Sequence, residues 1–255
     1  MAPGSMEKSV TRYDTYSTRN MLHPARVLIV CASLAVVACS SNEPAAARES
    51  TPPPPSAGPA QTPPPAPVST RPRIVFLGDS LTAGYGLDVE QSVPSLVQKH
   101  LDAEGYKYEV VNAGVSGDTS AGGLRRLEWS LDGDVRILVL ELGANDGLRG
   151  LPVAEMKRNL KTIIQAARKR DIDVLLTGME APPNYGGAYT SEFRRVFRDL
   201  ASEERVAFMP FYLYEVAGIP TLNIADGIHP NPAGARIVEA NLWRSLKPLV
   251  EKHAR

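Results

Sequence analysis

The chain has 255 residues, with 28 Lys plus Arg against 28 Asp plus Glu, a hydrophobic fraction of 43% and a charged fraction of 22%. This is the profile of a globular enzyme and lies far from a disordered composition. The balanced charge offers neither the basic excess that binds nucleic acid nor an acidic tail.

Residues 1–20 are polar and read neither as the start of an export signal nor as a folding unit, so translation is expected to begin at Met21. From there MLHPARVLIVCASLAVVACSS joins one Arg to an apolar run from Val27 to Ala38 that ends at Cys39. Residues 21–38 therefore have a signal-peptide pattern, and the run is short of the roughly 20 residues that span a bilayer. Val36-Val37-Ala38-Cys39 resembles the lipobox of bacterial lipoproteins, in which the Cys is lipidated; ordinary signal-peptidase cleavage nearby is the alternative. The expectation is an exported, periplasm-facing lipoprotein of the bacterial cell envelope, with Ser40 suiting the outer membrane. Cys31 would be removed and Cys39 stands at the border, so the folded part has no Cys for a disulfide, a thiolate metal site or a thiol nucleophile.

Residues 39–72 contain TPPPPSAGPAQTPPPAPVSTRP, which has almost nothing to bury and reads as a semi-rigid tether. A Pro-rich ligand for a partner domain is the other reading. Residues 73–255 suffice for one domain. In chain order, the buried-strand candidates are RIVFLG, YEVVNAG, VRILVLELG, DIDVLLTGM and a weaker one over Val206 to Met209. Helical patterns alternate with them over Ser92–Ala103, Ser120–Leu131, Val153–Arg170, Ser191–Glu204 and Ala233–Val250. Leu160, Ile163, Ile164 and Ala167 recur at helical spacing, as packing on a sheet requires. The alternation predicts an α/β fold, a three-layer α/β/α sandwich around a parallel sheet of about five strands in the flavodoxin-like order 2-1-3-4-5. Ligands bind such a sheet at the carboxyl ends of strands one and three.

Four stretches fall at those strand ends. GDSLTAGYG places Ser80 just beyond the first strand, where it is either a helix cap or a nucleophile. Neither a phosphate loop nor the GxSxG elbow is present. NAGVSGDTSAGGL follows the second strand, and Gly114 and Gly117 there either permit a tight turn or supply backbone N–H groups to an oxyanion. LELGANDGLRG follows the third strand, where Asn145 is a turn residue or an amide donor toward the same point. A Ser nucleophile needs a base, and of four His, His23 lies in the signal peptide, His100 on an amphipathic helix and His253 in the terminal tail. His229 in ADGIHPNPAG remains, and Asp226, three residues earlier, is a turn residue or the carboxylate that fixes its tautomer. No second His or Cys offers a metal-ligand set.

These stretches, in this order, resemble the SGNH hydrolase family, also called GDSL esterases and lipases, over nearly all of residues 73–250. Within it they are similar to bacterial periplasmic enzymes with thioesterase, arylesterase and lysophospholipase activity. The resemblance implies Ser80 as nucleophile, His229 as base and then acid, and Asp226 as its orienting partner. It implies an oxyanion hole of the Ser80 and Gly117 backbone N–H groups with the Asn145 side chain, Gly114 being the poorer match to the donor. It further implies no metal or organic cofactor, and an acyl ester, thioester or lysophospholipid substrate. The loop APPNYGGAYT covers the acyl site in such relatives, which makes Pro182, Asn184 and Tyr185, with Leu148 beside the oxyanion loop, candidate substrate contacts. Ala181 stands where those relatives carry a larger aliphatic residue, which leaves chain-length preference open. Two other readings of the same chain are an esterase removing acetyl groups from an envelope polysaccharide or peptidoglycan, and a noncatalytic envelope binding protein.

Overall fold

The run Ile74–Leu77 has no polar side chain and ends in Gly-Asp, so it can be buried on both faces and must then turn. In the computed structural model, which describes residues 70–254, it lies within β1 (Arg73–Gly78), an inner strand of the sheet. β2 (Glu109–Gly114), β3 (Val135–Glu141), β4 (Asp173–Thr177) and β5 (Ala207–Met209) complete it, all pairs parallel, in the order β2-β1-β3-β4-β5. Residues 137–140 of β3 and 174–176 of β4 are buried like those of β1, the pattern of a parallel sheet covered on both faces. In this register Gly78 pairs with Gly114 on one side and Glu141 on the other, so β1, β2 and β3 end level. That level edge is where the order reverses direction, as expected for a binding crevice.

The flanking helices are α1 (Ser80–Ala83), α2 (Val93–Ala103), α3 (Ser120–Arg125), α4 (Leu127–Ser130), α5 (Ala144–Leu148), α6 (Val153–Arg168), α7 (Gly187–Glu204) and α8 (Pro232–His253). α2 packs with α8, while α6 packs with both α3 and α7, giving a layer on each side of the sheet. Leu160, Ile163, Ile164 and Ala167 of α6 are fully buried. The α/β sandwich and its strand order are those the sequence predicts.

Three predicted bounds are corrected. The helix expected over Ser120–Leu131 is interrupted at Arg126, whose guanidinium is drawn inward to the carbonyls of Gly78 and Ala113 and to Asp118. The helix expected from Ser191 begins at Gly187, because Gly186 at φ +86° makes the break and the residues after it are already helical. His253 is not in a loose tail: it ends α8, where its Nε2 and the Lys252 ammonium both meet Asp173 at the start of β4, at 2.8 and 2.7 Å. Pro72 and Ala254 line one cavity of about 450 Å³ at this amino-end pole, together with Tyr106, Tyr108 and His253.

The expected start at Met21, the signal peptide of residues 21–38, Cys39 and the tether up to residue 69 lie outside the described residues. Among the described residues no helix is long and apolar enough to cross a membrane.

Candidate active site

β1 delivers the chain to Gly78, and Asp79 then caps α1, its carboxylate accepting the Leu81 N–H at 3.0 Å. Ser80 is thus the first residue of a helix, a position whose N–H has no intrahelical acceptor. Its side chain stands at the level edge of the sheet.

The loop before α8 brings the imidazole to it. Asn231 caps α8 by accepting from Ala233 and Gly234 N–H, and Pro232 suits the first helical turn. The Ile224 N–H donates to the His229 carbonyl at 2.8 Å and Asn223 bridges Pro230, which closes the loop into a narrow hairpin. Inside it, Asp226 Oδ1 accepts the N–H groups of Ile228 and His229 at 2.9 and 3.1 Å, and Oδ2 meets His229 Nδ1 at 2.7 Å. His229 Nε2 lies 2.8 Å from Ser80 Oγ. With Nδ1–H donating to the carboxylate, Nε2 is left as acceptor for the Ser80 hydroxyl. The Ile228 N–H foremost, then those of His229 and its ring, pull Asp226 down to about 2, so it is ionised across the neutral range. Tyr85 packs against the imidazole, ring centres 4.7 Å apart.

Two further loops close on this pair. Gly114 is ruled out as an oxyanion donor, because its N–H is spent on Asn112 Oδ1 at 3.0 Å and a Cβ there would overlap the Ala83 backbone. It is glycine so that β2 can approach α1. Gly117, at φ +84°, turns the chain in the left-handed region, and among the described residues its N–H has no acceptor. Its carbonyl is held by Arg149 Nη2 at 2.8 Å. Asn145, in α5, directs its side-chain amide at Asp79 Oδ2, 3.1 Å away, beside the nucleophile. Its neighbour Asp146 accepts both the N–H and the hydroxyl of Ser120, at 2.8 and 2.6 Å, and so ties the Asn145 turn to the start of α3. Arg126 Nε holds Asp118, next to Gly117, at 2.7 Å.

The structure brings Ser80, His229 and Asp226 into one chain of hydrogen bonds and Asn145 next to it. Leu148 is exposed at the end of α5, and the Tyr185 hydroxyl donates to its carbonyl at 2.9 Å. Pro182 and Asn184 belong to the same turn as Tyr185, and Asn184 is open to solvent. Tyr85, Leu148, Tyr185 and Ile228 are 54, 45, 41 and 44% exposed, giving the mouth an apolar rim. The recess beside Ser80, lined by Leu81, Tyr85, Leu87, Val93 and Pro230, is shallow. The 450 Å³ cavity at the opposite pole is larger but holds none of the reactive side chains, so the chemistry belongs to the mouth. Among the described residues no three His, Cys, Asp or Glu side chains group to hold a metal ion. His100, the other helical imidazole, stacks on Trp243 at 4.3 Å between Glu104 and Glu239, a packing role.

Sequence reasoning passed over Asp79, Arg126, Glu141 and Arg149. Glu141 alone carried a signal: a single acidic residue in an apolar run, fully buried here.

Residues 76–237 match the GDSL-like Lipase/Acylhydrolase family. The chain is 46% identical over 178 residues to esterase TesA of Pseudomonas aeruginosa, covering 69% of this chain and 89% of that one. It is 37% identical over 178 residues to thioesterase 1/protease 1/lysophospholipase L1 of Escherichia coli K12, covering 69% of this chain and 84% of the other. Among solved structures it is similar to the psychrotrophic esterase EstA of Pseudoalteromonas sp., inhibited by monoethylphosphonate. That likeness has 34% identity and a TM-score of 0.67 and covers 70% of this chain and 98% of the other.

Proposed function

The chain belongs to the GDSL-like lipase/acylhydrolase family and is an esterase of that family; from this premise we propose that Ser80, His229 and Asp226 form its catalytic triad. The observation that carries the assignment is the unbroken relay from Ser80 Oγ through His229 to Asp226, at 2.8 and 2.7 Å.

The chemistry follows from the geometry. Ser80 Oγ attacks the acyl carbonyl as His229 Nε2 removes its proton, and Asp226, already ionised, stabilises the imidazolium without taking the proton. The negative charge that develops on the carbonyl oxygen falls to the Ser80 and Gly117 N–H groups and the Asn145 amide. His229 returns its proton to the departing alkoxide or thiolate, leaving an acyl-serine. Water then repeats the sequence, with His229 as base, and frees the acid. The apolar rim of Tyr85, Leu148, Tyr185 and Ile228 favours an acyl chain longer than acetyl, in an ester, thioester or lysophospholipid. Residues 21–39 support export with a lipid anchor at Cys39, the domain of residues 73–255 being carried on the tether.

Hydrolysis of a p-nitrophenyl ester series from acetyl to palmitoyl by wild type and Ser80→Ala tests this reading. The expected result is activity toward medium or long chains that survives a chelator and is lost in the variant. Wild-type turnover in Ser80→Ala refutes the triad, and activity confined to acetyl esters favours an envelope O-acetyl esterase.

A further inference from the structure

Asp79 is completely buried behind the nucleophile, a costly place for a carboxylate. Its two oxygens serve different partners, Oδ1 accepting the Leu81 N–H and Oδ2 the Asn145 amide at 3.1 Å. An Asn amide carries two hydrogens. With one held by Asp79, the other is free to point at a substrate oxygen. We propose that Asp79 is the positioning residue of the oxyanion site: its carboxylate fixes the Asn145 side chain in the orientation that presents the second N–H to the developing charge. The inference rests on the assignment of Ser80 and Asn145 above.

An Asn at 79 could not replace Asp. Both side-chain positions must accept, one from Leu81 and one from Asn145, and an amide has a single acceptor. Either the helix cap would be lost or Asn145 would have to turn its carbonyl inward and its amide away.

Glu141 supports the same orientation from beneath. Its Oε2 accepts the Thr82 hydroxyl at 2.7 Å and the Asp79 N–H at 3.3 Å, so it grips both sides of the turn that carries Ser80. Among the described residues its Oε1 has no partner. Burial, and then the charge of Asp79, push the Glu141 carboxyl well above the usual carboxylic range, which disfavours a second negative charge beside Asp79. Burial raises Asp79 to about 6, against the pull of the Leu81 N–H, Asn145, His229 and Glu141, and it is anionic above that. The groups facing this pair are His229 from the loop before α8 and the fully buried Tyr212 hydroxyl that follows β5.

The test is a double-mutant cycle in the full-length protein with p-nitrophenyl butyrate, reading kcat and KM for wild type, Asp79→Asn, Asn145→Ala and the double variant. Asn145→Ala is expected to lower kcat by about 10²-fold with KM little changed, as loss of an oxyanion donor does. Asp79→Asn should lower kcat by about 10-fold or more, again with KM held, and add nothing when Asn145 is already Ala. Effects of the two substitutions that multiply in full overturn the inference. Wild-type kcat in Asn145→Ala overturns instead the oxyanion reading on which it rests. Should Asp79→Asn fail to fold, the side-chain amide resonances of Asn145 can be followed by NMR in His229→Ala, where no imidazole confuses the titration. They should move with the ionisation of a buried carboxyl, and resonances unchanged between pH ~4.5 and ~8.5, a span set around ordinary and raised carboxyl values, overturn it.

Discussion

Replacing Asp226 by Asn and by Ala separates two things a triad carboxylate does, supplying charge and dictating a tautomer. In the native loop Oδ1 accepts two backbone N–H groups, from Ile228 and His229, while Oδ2 faces His229 Nδ1. An Asn at this position keeps its oxygen on the two N–H groups, because turning the amide over would set its NH₂ against both donors. Its NH₂ then faces Nδ1, which must become the acceptor, and the ring proton moves to Nε2, pointing at Ser80. The base is lost, and kcat should fall by about 10⁴-fold, the scale of a wrong-tautomer triad. Asp226→Ala imposes no tautomer. The Asp226 side chain is 35% exposed, so water can reach Nδ1 in its place. Its loss should be milder, about 10² to 10³, within what a positioned acid–base group contributes. The assay is kcat on p-nitrophenyl butyrate between pH 6.5 and 9, at roughly one unit spacing around the ordinary imidazole value. An Ala variant as slow as the Asn variant would refute this account, as would an Asn variant within tenfold of wild type.

Glu141→Gln should raise the thermal midpoint at pH 8, because burial pushes the wild-type carboxyl well above its ordinary value and so opposes in the fold the ionisation that the unfolded chain undergoes freely. The sign follows because a carboxyl raised above 4.5 on folding stabilises below that pH and loses this contribution as pH climbs toward the folded value, so the two proteins should converge at pH 4. Melting curves at the two pH values check it, and a variant less stable at pH 8 contradicts it. Gly114→Ala should destabilise by more than about 3 kcal/mol, since the added Cβ meets Ala83 backbone that cannot yield. Gly117→Ala has open space, with Arg149 Nη2 3.8 Å away, and should cost only the left-handed penalty of about 1–2 kcal/mol. Thermal melts of both variants decide, and equal losses would contradict the different roles given to the two glycines.

The sheet was legible because a strand buried on both faces needs an unbroken apolar run, and Ile74–Leu77 and Ile137–Leu140 have no other use for one. Ser80, His229 and Asp226 were legible because a nucleophile needs a base, few imidazoles exist in the chain, and a carboxylate three residues away can fold back onto a ring. Asp79 and Glu141 were not, since their significance lies in which oxygen meets which donor across 62 residues of sequence. The break at Arg126 was equally hidden. Helical periodicity continues through it, and only the tertiary pull of the Gly78 and Ala113 carbonyls stops the helix. The start of α7 ahead of Ser191 was hidden as well, because a single residue at positive φ, Gly186, is enough to begin the helix.

Pro72 and Ala254 line the same cavity at the amino ends of the strands, whereas Ser80 emerges at their carboxyl ends. With β1 only six residues long, the two poles are separated by about 20 Å of strand at ~3.3 Å per residue. A bead, a fusion partner or a sensor chip coupled at either end of this unit therefore pulls on the side away from the mouth. The nearness of the two ends also means that a short linker could join them and new ends be cut elsewhere, which would let the mouth be turned toward the support by choice of the cut.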